Sequence, residues 1–269
     1  MTSTAVPAVP ELVRRRLSAP AVLRLALTEA RRMLLHPAML AIALIVLVAV
    51  VADPGQPTQR SVLADGLEYI FLLYYGLAVL FAANLVASSA RRSGLESQFQ
   101  AAPVSAQART VASCLAVLGL VVPAGLAAAA SHALTYAGET DPKALSVAEL
   151  LVIPLCALGA GMLGVTVARW LPWPGAALLV GVLLVLWVGA THELDTWAWF
   201  VPWSTSHTWT GLPALEGGSQ RWHAVYLVGL AGLAALAAVL RHPGHRRGLL
   251  VASALMGAAT LTAGLLQLP

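Results

Sequence analysis

Residues 67–109 read LEYIFLLYYGLAVLFAANLVASSARRSGLESQFQAAPVSAQAR. The part before Arg91 is an almost unbroken apolar run, longer than the ~20 residues that a helix needs to cross a bilayer. The part from Arg91 to Arg109 is polar, and apolar sequence resumes directly after it. Because only helices and closed barrels satisfy their backbone groups in lipid, this pattern predicts two membrane-spanning helices joined by a connection outside the bilayer.

The composition extends this prediction to the whole chain. Of 269 residues, 59% are hydrophobic and only 10% are charged, against roughly 25% charged residues in a soluble domain. The apolar residues lie in seven runs, at about 38–52, 67–90, 108–136, 147–170, 174–190, 222–240 and 248–268. We therefore predict an all-α polytopic membrane protein with six to seven transmembrane helices. Residues 37–240 form a six-span domain, residues 241–269 an inner loop and seventh span, and residues 1–20 a disordered N-terminus.

The basic residues predict which connections lie inside. With a cytoplasmic N-terminus, 13 of the 16 arginines and lysines fall in inner segments, and only Arg60, Lys143 and Arg221 fall in outer ones. Such an excess on the cytoplasmic side is typical of membrane proteins. The dominance of arginine over lysine and the abundance of alanine favour a bacterial plasma membrane. The arginines sit beside spans rather than on a soluble face, so we predict no nucleic-acid partner.

The polar segment that follows the second span has the signals of a short cytoplasmic helix over residues 93–102. Ser93 and Glu96 have the spacing of a capping box at its start, and Pro103 ends it, because the residue before a proline is pushed out of the helical region. Three residues at i, i+4 and i+7 form one apolar face: Leu95, Phe99 and Ala102. An apolar face held outside the membrane needs a partner.

The segment before the first span is predicted to be an amphipathic helix over residues 21–36. One face carries Leu23, Ala26, Leu27, Ala30 and Leu34, and the other carries Arg24, Thr28, Arg31 and Arg32. This pattern indicates a helix in the membrane interface; a simple extension of the first span is the alternative. The pair His36–Pro37 predicts a break between this helix and the span.

A cluster of tryptophans marks the predicted outer region over residues 192–221. The cluster comprises Trp197, Trp199, Trp203, Trp209 and Trp222, and indole rings concentrate at membrane interfaces. Short helices that re-enter the outer leaflet and an aromatic-anchored surface loop are both consistent with this composition.

Several kinds of chemistry are excluded or disfavoured. No Gly-x-x-x-x-Gly-Lys-Ser/Thr occurs, so the chain binds no ATP by a P-loop. The Gly-x-Gly-x-x-Gly at 159–164 lies inside a span, where glycines allow close helix packing. Cys114 and Cys156 lie in apolar runs and are interpreted as packing residues. No metal-binding or nucleophile-elbow motif is found, so we predict neither a metal site nor catalytic residues.

The order of these features resembles the permease subunit of a type 2, exporter-type ABC transporter. In that family a cytoplasmic coupling helix commonly reads Gly-Thr-Glu-Glu-Leu-Leu, followed by Pro and a small residue. The matching positions here are Gly94, Glu96, Pro103, Val104 and Ser105, flanked by Arg91, Arg92 and Arg109. The family's second glutamate and leucine pair are replaced by Ser97 and by Gln98 with Phe99. Two further segments resemble the family: Leu34–Pro37 at the connecting-helix junction, and 201–204 with Trp222 in the outer re-entrant region.

The resemblance implies that this chain is not itself an enzyme. A separate ATPase subunit, expected in two copies, would bind ATP and magnesium and contact the coupling helix. A second permease protomer, identical or different, would complete the path through the lipid membrane. The implied coupling residues are Arg91, Arg92, Gly94, Leu95, Glu96, Phe99 and Pro103. The cargo is not specified by the sequence.

Two other classes of function remain open at the level of sequence. A membrane enzyme could combine His132, His192 or His207 with Glu193 or Asp195 at the outer face. A secondary carrier would run on a gradient without an ATPase and often shows an internal repeat; no convincing repeat is found here. Association with a soluble P-loop ATPase distinguishes the exporter subunit from both.

Overall fold

The computed structural model describes residues 19–52, 70–94, 105–136, 147–171, 173, 175–191, 199–201, 218–242 and 246–269. Every regular element within these ranges is helical, which confirms an all-α polytopic membrane protein. The helices are α1 (Ala19–Leu34), α2 (Pro37–Ala52), α3 (Gly76–Ala87), α4 (Ser89–Arg92), α5 (Ala106–Tyr136), α6 (Val147–Trp170), α7 (Ala176–Thr191), α8 (Gln220–Leu240) and α9 (Arg246–Leu266). A π-helical segment, Ile70–Tyr75, leads directly into α3.

Five spans in the described part are long and apolar enough to cross a membrane: Ile70–Ala87, Ala106–Ala130, Leu150–Trp170, Gln220–Leu240 and Arg246–Leu266. The last of these confirms that the predicted seventh run forms a helix of sufficient length. The helix α7 has 16 residues, or about 24 Å at 1.5 Å per residue, which is short of the ~30 Å hydrocarbon core. The helices α1 and α2 qualify only as a pair, bent by 53°.

The core of the bundle is the contact of α6 with α3, α5 and α8. Two glycines of the predicted packing motif make the contacts close. A Cβ on Gly164 would lie 2.4 Å from the Leu80 carbonyl oxygen, and a Cβ on Gly161 would lie 2.4 Å from a methyl of Val117. Gly159 has open space instead. The packing interpretation is therefore confirmed for two of the three glycines. Cys114 and Cys156 are free and buried, as predicted.

The N-terminal helix α1 packs along α5, a contact that the sequence analysis did not anticipate. Ala26 and Met33 are buried, and the Ala30 side chain lies 3.0 Å from where a Cβ on Gly119 would be. Leu23 and Leu27 are 56% and 63% exposed. The predicted apolar face is therefore divided: its small residues contact the protein, and its leucines lie on the surface. The predicted break falls at Leu35 and His36, between α1 and α2.

Most of the described arginines gather at one end of the bundle, as the charge pattern predicts, and Arg221 lies at the opposite end, at the start of α8. Arg91 contacts Ala168, Arg169 contacts Ala87, and His242 contacts Thr110. These contacts place the ends of α3, α5, α6 and α8 together. We call residues 31–36, 85–94, 105–113, 168–170 and 237–242 the arginine-rich end. The opposite end holds residues 199–201, the start of α8 and the C-terminal end of α9, joined through His223 and Gln267.

Candidate functional site

The described flanks of the predicted coupling segment both lie at the arginine-rich end. The flank on the side of the second span ends at Gly94, and the other begins at Ser105, where α5 starts. The connection between the two flanks is therefore ten residues long, 95–104. Four of the predicted coupling residues, namely Leu95, Glu96, Phe99 and Pro103, lie outside the described residues, and their roles stay predictions.

The first flank is shaped by Ser93 and Gly94. Ser93 ends α4, and its hydroxyl donates to the Ala90 carbonyl oxygen at 3.1 Å. Gly94 has φ +70°, a left-handed conformation that costs glycine little and other residues more. The chain therefore turns sharply as it leaves α4. The Glu96 half of the predicted capping box lies outside the described residues.

Two arginines tie this flank and its surroundings to α6. Arg91 is half-buried and donates to the Ala168 carbonyl oxygen at 3.3 Å. Arg169, on α6, donates to the Ala87 carbonyl oxygen at the end of α3 at 3.2 Å. A second nitrogen of Arg169 donates to the Ser113 hydroxyl on α5 at 3.3 Å. Arg169 thus joins the end of the second span to the beginning of the third.

A carboxylate from α1 completes this cluster. Burial raises the pKa of Glu29, and the nearby Ser113 hydroxyl and the charges of Arg169, Arg32 and Arg109 oppose this shift. The Ser113 hydroxyl itself donates to the Arg109 carbonyl oxygen at 3.1 Å. The helix α1 therefore brings an acidic side chain close to the arginines of α5 and α6, in addition to the packing of Ala30 against α5.

The sequence analysis missed Glu29, Ser113 and Arg169 as site residues. One signal was available: Glu29 is the only acidic residue of α1, a helix whose other residues are mostly apolar or basic. Asn84 gives a similar signal, because it is a polar residue inside an apolar run. It is 6% exposed and donates to the Gly164 carbonyl oxygen at 3.2 Å.

The predicted interface arginines Arg31 and Arg32 meet Arg92 across a cleft of about 660 Å³. The cleft lies where the break between α1 and α2 faces the end of α3 and the short helix α4. Arg32 donates to the Ser89 hydroxyl at 3.3 Å, and Arg92 donates to the Leu85 carbonyl oxygen. Arg24, the third predicted interface arginine, is exposed and does not line the cleft.

His36 lies in the break between α1 and α2 and lines the same cleft. Its Nδ1 accepts a hydrogen bond from the Ala38 backbone N–H at 3.2 Å. In the neutral ring the proton is therefore on Nε2. Partial burial and the nearby Arg92 lower the pKa of His36 below its ordinary value. At pH 7 this residue is a neutral hydrogen-bond donor beside three guanidinium groups.

The opposite end holds a buried polar cluster instead of a charged one. The Nδ1–H of His223 donates to Gln267 Oε1 at 2.9 Å, and the Gln267 amide nitrogen donates to the Trp199 carbonyl oxygen at 2.8 Å. All three residues are at most 1% exposed. Of the predicted tryptophan cluster, Trp199 is thus a core residue and Trp222 is 41% exposed. Trp197, Trp203 and Trp209 lie outside the described residues.

The bundle also contains an apolar cavity of about 210 Å³ between α6, α7 and α8. Gly159 lines it, which explains why this glycine meets open space, and Trp187 and Tyr226 form part of its wall. The described walls carry no charged side chain, so the cavity does not specify a charged cargo.

Among the described residues, no group of three or more His, Cys, Asp or Glu side chains is arranged to hold a metal ion. The alternative enzyme site falls outside the described part of the chain. Four of its residues lie outside the described ranges, namely His192, Glu193, Asp195 and His207, and the side chain of His132 is outside them as well. Comparison with family models, with curated proteins and with solved structures finds no match to this chain. What is established is the class: an all-α polytopic membrane protein with most of its described arginines at one end.

Proposed function

We propose that this chain is the permease subunit of an ATP-driven ABC exporter in a bacterial plasma membrane, with the arginine-rich end in the cytoplasm. One observation carries the proposal. The ten-residue segment 95–104 leaves and rejoins the bundle at that end, and both of its flanks are hydrogen-bonded to helices of the core. A force applied to such a segment reaches several spans at once.

The contacts of Arg169 support this coupling role. They join the Ala87 carbonyl of the second span to the Ser113 hydroxyl of the third. Arg91 adds a bond from the flank itself to α6. We expect these helices to move as one rigid body when the segment is displaced, which is the usual form of domain-scale switching.

The energy source would lie in a partner. The sequence contains no P-loop, so a separate ATPase subunit, expected in two copies, would bind ATP and magnesium and contact the helix predicted over 93–102. A second permease protomer, identical or different, would complete the translocation path. The proposal names no cargo.

Association with the ATPase is the direct test. Phe99→Asp places a charge on the predicted apolar face of the segment. Ser97→Asp is the matched control, because it adds the same charge on the opposite face of the predicted helix. We expect the tagged wild-type chain and Ser97→Asp to co-purify a P-loop ATPase from the host membrane. Phe99→Asp should lose it while still inserting into the membrane at normal levels.

Two results would contradict the proposal. One is a wild-type chain that recovers no P-loop ATPase from host membranes solubilised under conditions that preserve its fold. The other is undiminished recovery of the ATPase with Phe99→Asp. The first result would favour the carrier or the membrane enzyme, and the second would remove Phe99 from the interface.

A further inference from the structure

The cleft between α1 and α4 concentrates positive charge, of which only Arg92 is also a predicted coupling residue. Arg31 and Arg32 line it from α1, and Arg92 lines it from α4. No acidic side chain lines the cleft in the described part of the chain. Glu29, on the same helix, interacts electrostatically with Arg32 but does not line the cleft. Like charges held close together repel one another, so an anion between them lowers the energy of the arrangement.

The hydrogen-bond donors of the cleft suit phosphate oxygens. Each guanidinium has five N–H donors, and the bonds to Ser89 and to the Leu85 carbonyl oxygen use one donor of Arg32 and one of Arg92. These bonds also hold the two guanidinium groups in place. His36 adds an imidazole N–H, whereas the Thr28 hydroxyl already donates to the Arg24 carbonyl oxygen at 3.0 Å. Arginine is the side chain that most readily binds phosphate through two parallel bonds.

The surroundings of the cleft indicate that the phosphate belongs to a lipid. Leu35 lines the cleft and is 56% exposed. Leu40, one turn into α2, is 52% exposed, and Leu34 is also exposed. An anion site bordered by exposed leucines on the entrance to an apolar helix has the two chemistries of a phospholipid, a charged headgroup and acyl chains. The volume of about 660 Å³ is within the range of small-molecule sites.

We propose that this cleft binds the phosphodiester of an anionic glycerophospholipid, with the headgroup between Arg31, Arg32 and Arg92 and the acyl chains along α2. The bound lipid would contact α1, α4 and the break between α1 and α2. It would therefore hold the 53° bend against the end of the second span. This proposal does not depend on the coupling role of residues 95–104.

The test compares cleft variants with a matched control on the same helix. Arg92→Gln and Arg31→Gln each remove one charge from the cleft. Arg24→Gln removes one charge from an exposed position of α1 outside it. The purified full chains are exchanged into phosphatidylcholine with a minor fraction of phosphatidylglycerol, and retained lipids are counted by native mass spectrometry. We expect one phosphatidylglycerol on the wild type and on Arg24→Gln, and about tenfold weaker retention on both cleft variants.

A second arm separates the lipid from a soluble anion. Phosphatidylglycerol should raise the thermal stability of the detergent-purified wild type, and inorganic phosphate at millimolar concentration should not. An equal effect of inorganic phosphate would overturn the lipid assignment. Equal loss of lipid in Arg24→Gln and in the cleft variants would overturn the site, because it would show diffuse attraction to the basic surface. If Arg92→Gln fails to fold, Arg31→Gln on the exposed face of α1 decides the outcome.

Discussion

The guanidinium of Arg169 donates to the Ala87 carbonyl oxygen at 3.2 Å, across the boundary between α6 and the end of the second span. The acceptor lies where α3 ends, so its carbonyl has no partner within that helix. Arg169 therefore satisfies a backbone group that helix geometry leaves open. With its second bond to Ser113, it forms the link on which the mechanical part of the proposed function depends.

We expect Arg169→Gln to destabilise the protein by about 1.5–3 kcal/mol, the range for hydrogen bonds to charged groups. The destabilisation is measured as a lower midpoint of thermal unfolding in detergent, with size-exclusion chromatography used to monitor the folded protein. Arg246→Gln is the control, because Arg246 is exposed at the start of α9 and should tolerate the change. Equal midpoints for the two variants would show that the Arg169 bonds contribute nothing to stability.

We expect Gly164→Ala to destabilise the contact of α6 with α3 by about 1–3 kcal/mol, the usual cost of overpacking. The new Cβ would lie 2.4 Å from the Leu80 carbonyl oxygen, a backbone atom that cannot rotate away. Gly159→Ala, in the same motif, meets open space and should leave the unfolding midpoint unchanged or slightly higher. Similar midpoints for the two variants would contradict the close approach.

We expect Gln267→Leu to destabilise the end of the bundle opposite the arginine-rich end by about 1–3 kcal/mol. The change removes the bonds to His223 and to the Trp199 carbonyl oxygen from a site that water does not reach. Leu265→Ala, in the last turn of α9, is the control, since Leu265 is 68% exposed. A lower midpoint of thermal unfolding in Gln267→Leu, and not in Leu265→Ala, would show that the loss comes from these bonds.

We expect binding of the anionic lipid to strengthen as the pH falls. The free-state pKa of His36 is lowered by partial burial and by Arg92, and Arg31 and Arg32 line the same cleft. A bound phosphate raises this pKa, because an opposite charge favours the imidazolium form. By linkage, the affinity for the lipid therefore begins to rise as the pH falls below the pKa of His36 in the lipid complex. The rise in affinity is complete below the pKa of His36 in the free protein.

The expected gain in lipid affinity is that of a partly exposed charge pair, about 0.2–1 kcal/mol. This corresponds to a roughly one- to fivefold higher affinity. Lipid retention measured from pH 8 down to pH 5 tests it. His36→Gln keeps a donor but cannot titrate, so its retention should not change with pH. A pH dependence that survives in His36→Gln would assign the titration to another group.

Much of the fold was predictable because the bilayer imposes strong local rules. Apolar length predicted the helices, and five of the seven runs meet the length requirement alone. His36–Pro37 predicted the break before α2 because proline lacks a backbone donor and restricts its neighbour. The distribution of arginines predicted one charged end, because placing a charged side chain in the hydrocarbon core is energetically costly. For Gly161 and Gly164, the Gly-x-Gly-x-x-Gly at 159–164 was correctly interpreted as packing from its position inside an apolar run.

The rotational setting of each helix was not predictable, and the site depends on it. In an apolar run every face is hydrophobic, so periodicity does not show which face meets the protein. This is why Gly164 and Gly159 look equivalent in sequence and differ in structure. Glu29, Ser113 and Arg169 come from three helices, and only their packing brings a carboxylate, a hydroxyl and a guanidinium together.

The sequence by itself determined that this chain is a bundle of apolar helices with its basic connections on one side, because water and lipid act on each segment independently. The tertiary structure decided which residues meet. It divided the apolar face of α1 between protein and surface, joined the second and third spans through Arg169, and placed Arg31, Arg32 and Arg92 around one cleft. Such contacts link residues far apart in the chain, and no local pattern encodes them.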